Sequence, residues 1–135
     1  MALNPKQSNT AVNAAADAAC ALLNSGYLRI YDGTQPTTVD TAITTQNLIA
    51  ELRFGNPAFY GAIAGIATAE PITEEDNALY TGTAAWFRAL KSDGVTAVFD
   101  GSVGLSGCDL NLDVIAIQIT ANVSVTAFTY TQPKS

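Results

Sequence analysis

The sequence predicts a mainly β protein, an antiparallel β-sandwich or jelly-roll-like fold with one N-terminal α-helix. The first observation is the stretch 115–127, whose odd positions are apolar and whose even positions are mostly polar. A period of two places one set of side chains on a buried face and the other in solvent. The second is the short spacing of Gly, Pro, Asn and Asp turn signals, which is typical of sandwiches and jelly rolls. We divide the chain into an N-terminal arm and helix, 1–26, and a β-sandwich domain, 27–135.

The third observation is helical spacing of small apolar residues in 8–23. Ser8 or Asn9 can cap the start of this helix, and Asn-Ser-Gly at 24–26 is a stop signal. The repeated positions are Ala11, Ala14, Ala15, Ala18, Ala19, Leu22 and Leu23. Because this face is thin, we expect the helix to be poorly buried by a lone domain and to lie on its own sheet or on a neighbouring subunit. Residues 1–7 have no periodicity and are expected to be flexible.

The first half of the β region contains three predicted strands, 27–31, 46–54 and 62–69. In the second of these, Ile49 is the exception to an alternation that places four apolar residues on one side, namely Leu48, Ala50, Leu52 and Phe54. The acidic stretch 73–77 is interpreted as a turn or a single helical turn.

The best-defined hairpin is predicted over 83–100. A strand at 80–90 carries Trp86, Asp-Gly at 93–94 supplies the turn, and 95–99 returns. We expect Trp86 to be buried against Phe99 or an aliphatic residue of a neighbouring strand.

The end of the chain is less regular. Glycines at 101, 104 and 107 indicate a loop, and Leu110 and Leu112 lead into the final strands. Asn122 marks either a turn or a position within one long strand. Large residues move to even positions at Phe128 and Tyr130, which indicates a bulge near Ala127 or burial on both faces. The tail, 131–135, lacks apolar anchors and is expected to be disordered.

Composition excludes some function classes. The 135 residues suit one domain with a core of its own, and a net charge of −6 argues against nucleic-acid binding. No apolar run reaches transmembrane length, so we expect no membrane association. Charged residues are only 13%, which suits either a β protein that stacks against neighbours or a small secreted or viral β domain. Cys20 and Cys108 are interpreted as two buried thiols of a cytosol-made protein, with a single disulfide as the alternative.

Catalytic chemistry has little support in the residues. The chain has no histidine, which rules out Ser-His-Asp and Cys-His arrangements, and Lys91 beside a turn is better interpreted as a solvent-facing charge than as a base. The glycines at 101–107 precede no helix that could hold a phosphate. We therefore expect no enzyme, no catalytic residue and no cofactor, with a small hydrolase as a third class.

Calcium binding and sugar binding are alternatives to structural roles for the acidic and aromatic residues. The acidic residues lack the spacing of a calcium loop and are interpreted as solvated turns, so we expect no metal site. They are Glu70, Glu74, Glu75, Asp76, Asp93, Asp100, Asp109 and Asp113. The aromatic residues could stack on a sugar, but most are spaced as core or cross-strand residues. They are Tyr27, Tyr31, Phe59, Tyr60, Tyr80, Trp86, Phe87 and Tyr130.

Several segments together resemble small virion structural proteins of tailed bacteriophages. They are Tyr27-Leu-Arg-Ile-Tyr-Asp-Gly-Thr-Gln-Pro36, Leu48-Ile-Ala-Glu-Leu52, Trp86-Phe-Arg-Ala-Leu-Lys-Ser-Asp-Gly94, Asp100-Gly-Ser-Val-Gly104, Leu110-Asn-Leu112 and 123–129. These are strand-and-turn patterns, and their size and β character are similar to those of capsid decoration, or cement, proteins with jelly-roll-like folds.

This resemblance implies a decoration protein that stabilises a phage head shell by subunit-bridging contacts. Its partner would be the major capsid protein, and its location the capsid surface after synthesis in the host cytoplasm. The alternative is a tail or fibre-associated β module that binds a receptor or glycan. The small apolar residues and few charges also lead us to expect a dimer or trimer. We expect residues 1–24 to anchor the protein on the particle, with the β domain folded without them.

Overall fold

The computed structural model describes residues 3–133, and the predictions for residues 1, 2, 134 and 135 lie outside this range. Within it the chain is mainly β with a single N-terminal helix, which confirms the predicted class. The elements are α1 (Asn9–Ala21), β1 (Tyr27–Tyr31), β2 (Leu48–Arg53), β3 (Ile66–Thr68), β4 (Gly82–Thr83), β5 (Trp86–Leu90), β6 (Ala97–Gly104), β7 (Leu110–Leu112), β8 (Ala116–Ile117) and β9 (Val125–Thr131).

The strands form a seven-stranded sheet of order β2-β1-β5-β6-β7-β9-β3 and a two-stranded sheet of β4 and β8. Neighbours in the described sheets are antiparallel except β6 and β7, which are parallel. Parallel neighbours usually need a long crossover. Here β7 meets only the last two residues of β6, with Val103 opposite Leu110, so the short loop 105–109 is sufficient.

The large sheet curves so that its two ends share one core, as in a β-sandwich. Phe54 directly follows β2 at one end, and its ring centroid lies 6.0 Å from that of Phe128 in β9. Phe128 also packs edge-on against Phe59 at 5.4 Å and Phe87 at 5.0 Å. These edge-to-face contacts place Phe128, which is 2% exposed, at the centre of the core.

The helix begins where Ser8 accepts a hydrogen bond from the N–H of Ala11 at 3.1 Å, which confirms the predicted cap. Its buried side chains are Val12, Ala16 and Cys20. The predicted stripe is largely wrong, because Ala11, Ala14, Ala18 and Leu22 are exposed.

Polar side chains also attach the helix to the β body. Asn13, Asp17 and Asn24 accept hydrogen bonds, all at 2.8 Å, from the backbone N–H groups of Gly65, Ala62 and Ala58. The expectation that a lone domain would bury the helix poorly is therefore wrong. The helix lies on its own domain, whereas the division at residue 26 stays a prediction.

Two strand predictions are shortened by turns. The predicted strand 62–69 contains only β3, because Ala64 and Gly65 take positive φ angles of 52° and 80° and turn the chain back on itself. The predicted strand 80–90 divides into β4 and β5, which join different sheets.

The hairpin of β5 and β6 is confirmed, with Gly94 at a φ of 71° in its turn. Its second strand is longer than predicted. Gly101 and Gly104 belong to β6 and not to a loop, and a Cβ at Gly101 would lie 2.5 Å from the Phe87 ring. Glycine at this position is required for close packing against Phe87.

The alternating stretch 115–127 is not one strand. β8 ends at Ile117, a turn joins Gln118 to Ala121 by a backbone hydrogen bond of 3.0 Å, and Thr120 takes a positive φ of 73°. The turn therefore lies just before Asn122. Asn111 and Leu112 of β7 face Ala127 and Val125 of β9, so the ladder skips Thr126, which confirms a bulge near Ala127. The predicted tail also begins later, since Thr131 still pairs with Ile66.

The segment 73–77 is neither a helical turn nor a free loop. Thr73 bridges Arg53 at the end of β2, and Glu75 bridges Val123. This segment therefore connects two edges of the β body with backbone hydrogen bonds.

Candidate interaction surfaces

The segment 32–47, which has no helix or strand, lies over β5 on the outer face of the sheet. Beneath it lies an ion pair in which the Arg88 guanidinium donates to both carboxylate oxygens of Asp100, at 2.8 and 2.9 Å. The two side chains are 9% and 3% exposed. Arg88 also donates to the carbonyl of Thr41 at 3.0 Å, which connects the pair to the covering segment. The hydrogen bond to Asp100, more than any other contact, raises the pKa of Arg88.

Trp86 belongs to the same outer face. Its ring stacks on Tyr31 at 4.6 Å, and its Nε1–H donates to the carbonyl of Asp32 at 3.0 Å. The predicted burial is confirmed at 1% exposure, but Phe99, one of the two predicted partners, is wrong. Phe99 contacts Phe87 on the opposite face, because successive side chains of a strand point to opposite sides.

The acidic residues make hydrogen bonds both within turns and to distant segments of the chain. Asp93 accepts hydrogen bonds from the Thr96 hydroxyl and two backbone N–H groups of the hairpin turn, which lower its pKa to about 2. Asp109 accepts from the N–H and hydroxyl of Ser102, and Glu74 accepts from the hydroxyl of Ser124. Within residues 3–133, no group of three or more acidic or cysteine residues is placed to hold a metal ion. The contacts of Asp93 support the interpretation of that acid as a solvated turn residue, whereas the interpretation is wrong for Asp100, which lies in β6 and is buried in the ion pair with Arg88.

The two cysteines are free thiols. Cys20 is buried in α1 and Cys108 is half-buried in the loop before β7. Burial, assisted by the charge of Asp17, raises the pKa of Cys20 to about 12. A thiol held protonated in this way is a poor nucleophile, so Cys20 acts as a small packing residue.

The predicted aromatic set does not form one face. Tyr31, Phe59, Trp86 and Phe87 are buried, which confirms the prediction that they are core or cross-strand residues. Tyr27 is covered by the Arg53 guanidinium at 4.1 Å. Tyr60 and Tyr80 are the exposed members, at 53% and 44%.

A group of exposed apolar side chains was missed by the sequence analysis. Ala78 exchanges backbone hydrogen bonds with Thr120 and Ala121, and the N–H of Ile119 donates to the Thr81 hydroxyl at 2.8 Å. These bonds hold the 118–121 turn beside 78–81. The result is an apolar patch, defined as Leu79, Tyr80 and Ile119, with 48%, 44% and 55% exposure. The sequence signal for this exposure is that Leu79 and Tyr80 are adjacent, because a strand with one buried face cannot bury both.

A second feature is a groove beside β9, which we call the β9 groove. β3 follows β9 only as far as the 3.0 Å hydrogen bond from Ala69 to the carbonyl of Phe128. Beyond that point the chain leaves at Glu70 and Pro71. The resulting groove has a volume of about 330 Å3, with 68–72 on one wall, 125–129 on the other, and Tyr60. It was not predicted, since it depends on where β3 stops.

Neither surface can be assigned through a relative. Comparison with protein-family models, with curated proteins and with solved structures finds no match for this chain. Within residues 3–133 no helix is long and apolar enough to cross a membrane.

Proposed function

We propose that this protein is a capsid decoration protein of a tailed bacteriophage, which binds the major capsid protein on the head surface through the apolar patch. The observation that carries the proposal is the patch itself. Leu79, Tyr80 and Ile119 are large, half-exposed side chains, and hydrogen bonds from the N–H groups of Leu79 and Ile119 hold the two segments that carry them. An apolar group fixed in this way loses little conformational entropy when a partner covers it, so it is suited to binding.

The rest of the chain is compatible with this role. The sequence resemblance supplies the phage context, and the net charge of −6 suits an outer surface directed away from packaged DNA. A symmetric shell repeats each contact many times, so a patch of modest area can hold the protein by avidity. The proposed function needs only binding by a rigid β body.

The test is cosedimentation of the purified protein with assembled heads of the phage that encodes it, and separately with isolated tails. We expect binding to heads. The double variant Tyr80→Asp and Ile119→Asp should weaken head binding by about tenfold or more, because charges would be buried without partners.

The matched control is Val95→Asp. Val95 is 80% exposed in the hairpin turn, at the opposite end of β5 from the patch, so its replacement should leave binding unchanged. Binding to tails and not to heads would overturn the capsid role and favour the receptor-binding or glycan-binding alternative. Equal losses in both variants would overturn the assignment of the patch.

A further inference from the structure

We infer that the β9 groove receives the N-terminal arm of a second copy of this chain. The arm is defined here as 3–7, the residues before the cap of α1. The inference goes beyond the proposed capsid role, because it concerns association of the isolated protein.

The groove offers a place for an extended segment. On one side Val125–Thr131 pairs with β7, whereas on the other side β3 covers it only from Phe128 onward. The opposite wall, 68–72, diverges at Pro71, which has no N–H to continue the ladder. A sheet edge left open beside a groove accepts an extended peptide, whose backbone can hydrogen-bond to it and whose side chains can occupy the space. In the arm, the N–H groups that pair would be those of residues other than Pro5, which has none to donate.

The arm matches the groove in length and polarity. Five extended residues span about 17 Å, and the five residues 125–129 that line one wall span a similar length. Leu3 is 96% exposed, so the arm carries a large apolar side chain that the described residues of its own copy leave uncovered. The groove supplies apolar contacts from Ile72 and Val125.

Charge complementarity identifies the occupant. Glu70 lines the groove, and Glu74 lies close by through its hydrogen bond to Ser124. Residues 68–72 and 125–129 include no Lys or Arg. The arm contains Lys6, the only basic side chain before Arg29 in the sequence. Seating the arm would therefore place one positive charge beside an acidic wall.

The helix direction makes the occupant a second copy. Asn13 near the start of α1 contacts Gly65, and Asn24 just after its end contacts Ala58. Ala58 accepts a hydrogen bond from Glu70, at the groove. The helix therefore starts at the Gly65 end of β3 and ends near the groove. From Asn9 to Ala21 the helical rise is about 18 Å. The arm leaves from the end away from its own groove, so head-to-tail association brings it to the groove of a neighbour.

The experiment measures self-association of the full chain by sedimentation velocity across a concentration series into the millimolar range. We expect the wild-type protein to associate and a variant lacking residues 1–7, which keeps the Ser8 cap, to remain a monomer. Lys6→Glu and Glu70→Lys should each weaken association by about fivefold, and the combined charge swap should restore it.

Asp40→Lys is the matched control, because it makes the same charge change at an exposed site in the covering segment 32–47, whose residues do not line the groove. It should leave association unchanged. As a second, charge-independent measurement, Ala127→Trp fills the groove from an exposed position of β9 and should also give a monomer. The inference is overturned if the wild-type chain stays monomeric throughout, if the arm deletion associates normally, or if the charge swap gives no recovery. Head binding by the monomeric deletion variant would leave the capsid proposal intact.

Discussion

Substitutions at Arg88 and Asp100 should show a large coupling energy, although the buried pair as a whole adds little to the free energy of unfolding. Arg88→Met leaves the Asp100 carboxylate, only 3% exposed, without its cation. Asp100→Leu likewise leaves the guanidinium without its anion. Each single change should lower the free energy of unfolding by about 3–5 kcal/mol, because an uncompensated charge stays in a site from which water is largely excluded.

The double variant separates the two contributions. Replacing both partners by apolar side chains removes both charges, and such replacements are often neutral or stabilising. The Thr41 carbonyl that loses its donor belongs to an exposed residue and can bind water. We expect the double variant to lie within about 1 kcal/mol of the wild type, so the coupling energy should be at least about 5 kcal/mol.

The chain provides its own control in Arg29 and Glu51. This pair has a similar contact, 2.7 Å, but its side chains are 27% and 31% exposed. Its coupling energy should be about 0.2–1 kcal/mol. Urea unfolding of the wild type and the three variants in each cycle gives both values. A buried-pair coupling no larger than that of the exposed pair would refute the argument from burial.

Three further predictions follow from single side chains. Trp86→Ala should cost about 3–5 kcal/mol in urea unfolding, because the side chain is 1% exposed and stacked on Tyr31; melting like the wild type would show that the site lies open to solvent. Cys20 should react with a thiol reagent far more slowly than Cys108 near neutral pH, because burial covers its thiol and keeps it protonated; equal labelling rates would contradict its burial. The raised pKa of Cys20 also means that its contribution to stability is present below 9.0 and is lost as the pH rises toward about 12. Asp93 has a lowered pKa, so its contribution is present above its ordinary value of 3.8 and is lost as the pH falls toward about 2. Asp93→Asn should therefore reduce the pH dependence of the melting temperature over that acid range. A dependence as steep as that of the wild type would count against the turn contacts.

Local patterns predicted the elements whose causes are local. The strand at 27–31, the Ser8 cap and the Asp-Gly hairpin depend on neighbours in sequence, and the structure has them. Ile49, the exception to the alternation in the second strand, is explained by a local irregularity of the strand pairing. Ile30 and Tyr31 face Ala50 and Leu48, so Ile49 is the extra residue of a bulge and can be buried out of phase.

The predictions from sequence periodicity are wrong where tertiary contacts override the local pattern. The alternation of 115–127 suits a strand throughout, but Thr120 takes a positive φ and the turn hydrogen-bonds to 78–81. No sequence periodicity encodes that long-range pairing. The buried side of α1 was missed for a related reason, because Asn13 and Asp17 accept hydrogen bonds from backbone N–H groups of a distant loop, and these bonds help to set the rotation of the helix.

The candidate surfaces were beyond the sequence for the same physical reason. Exposure of Tyr80 depends on which neighbouring element covers it, and the β9 groove depends on the point at which β3 ends. Both are properties of the assembled sheet. Sequence alone could indicate only that the Leu79-Tyr80 pair breaks the alternation.

The placement of Trp86 on the outer face gives the protein a built-in optical reporter. It is the single tryptophan of the chain, and it contacts the covering segment through the Asp32 carbonyl rather than the main core. Its fluorescence therefore reports on detachment of 32–47, whereas far-ultraviolet circular dichroism reports on the sheet. If the two signals change at different denaturant concentrations, the covering segment is a separate, weaker cooperative unit that opens while the β body stays folded.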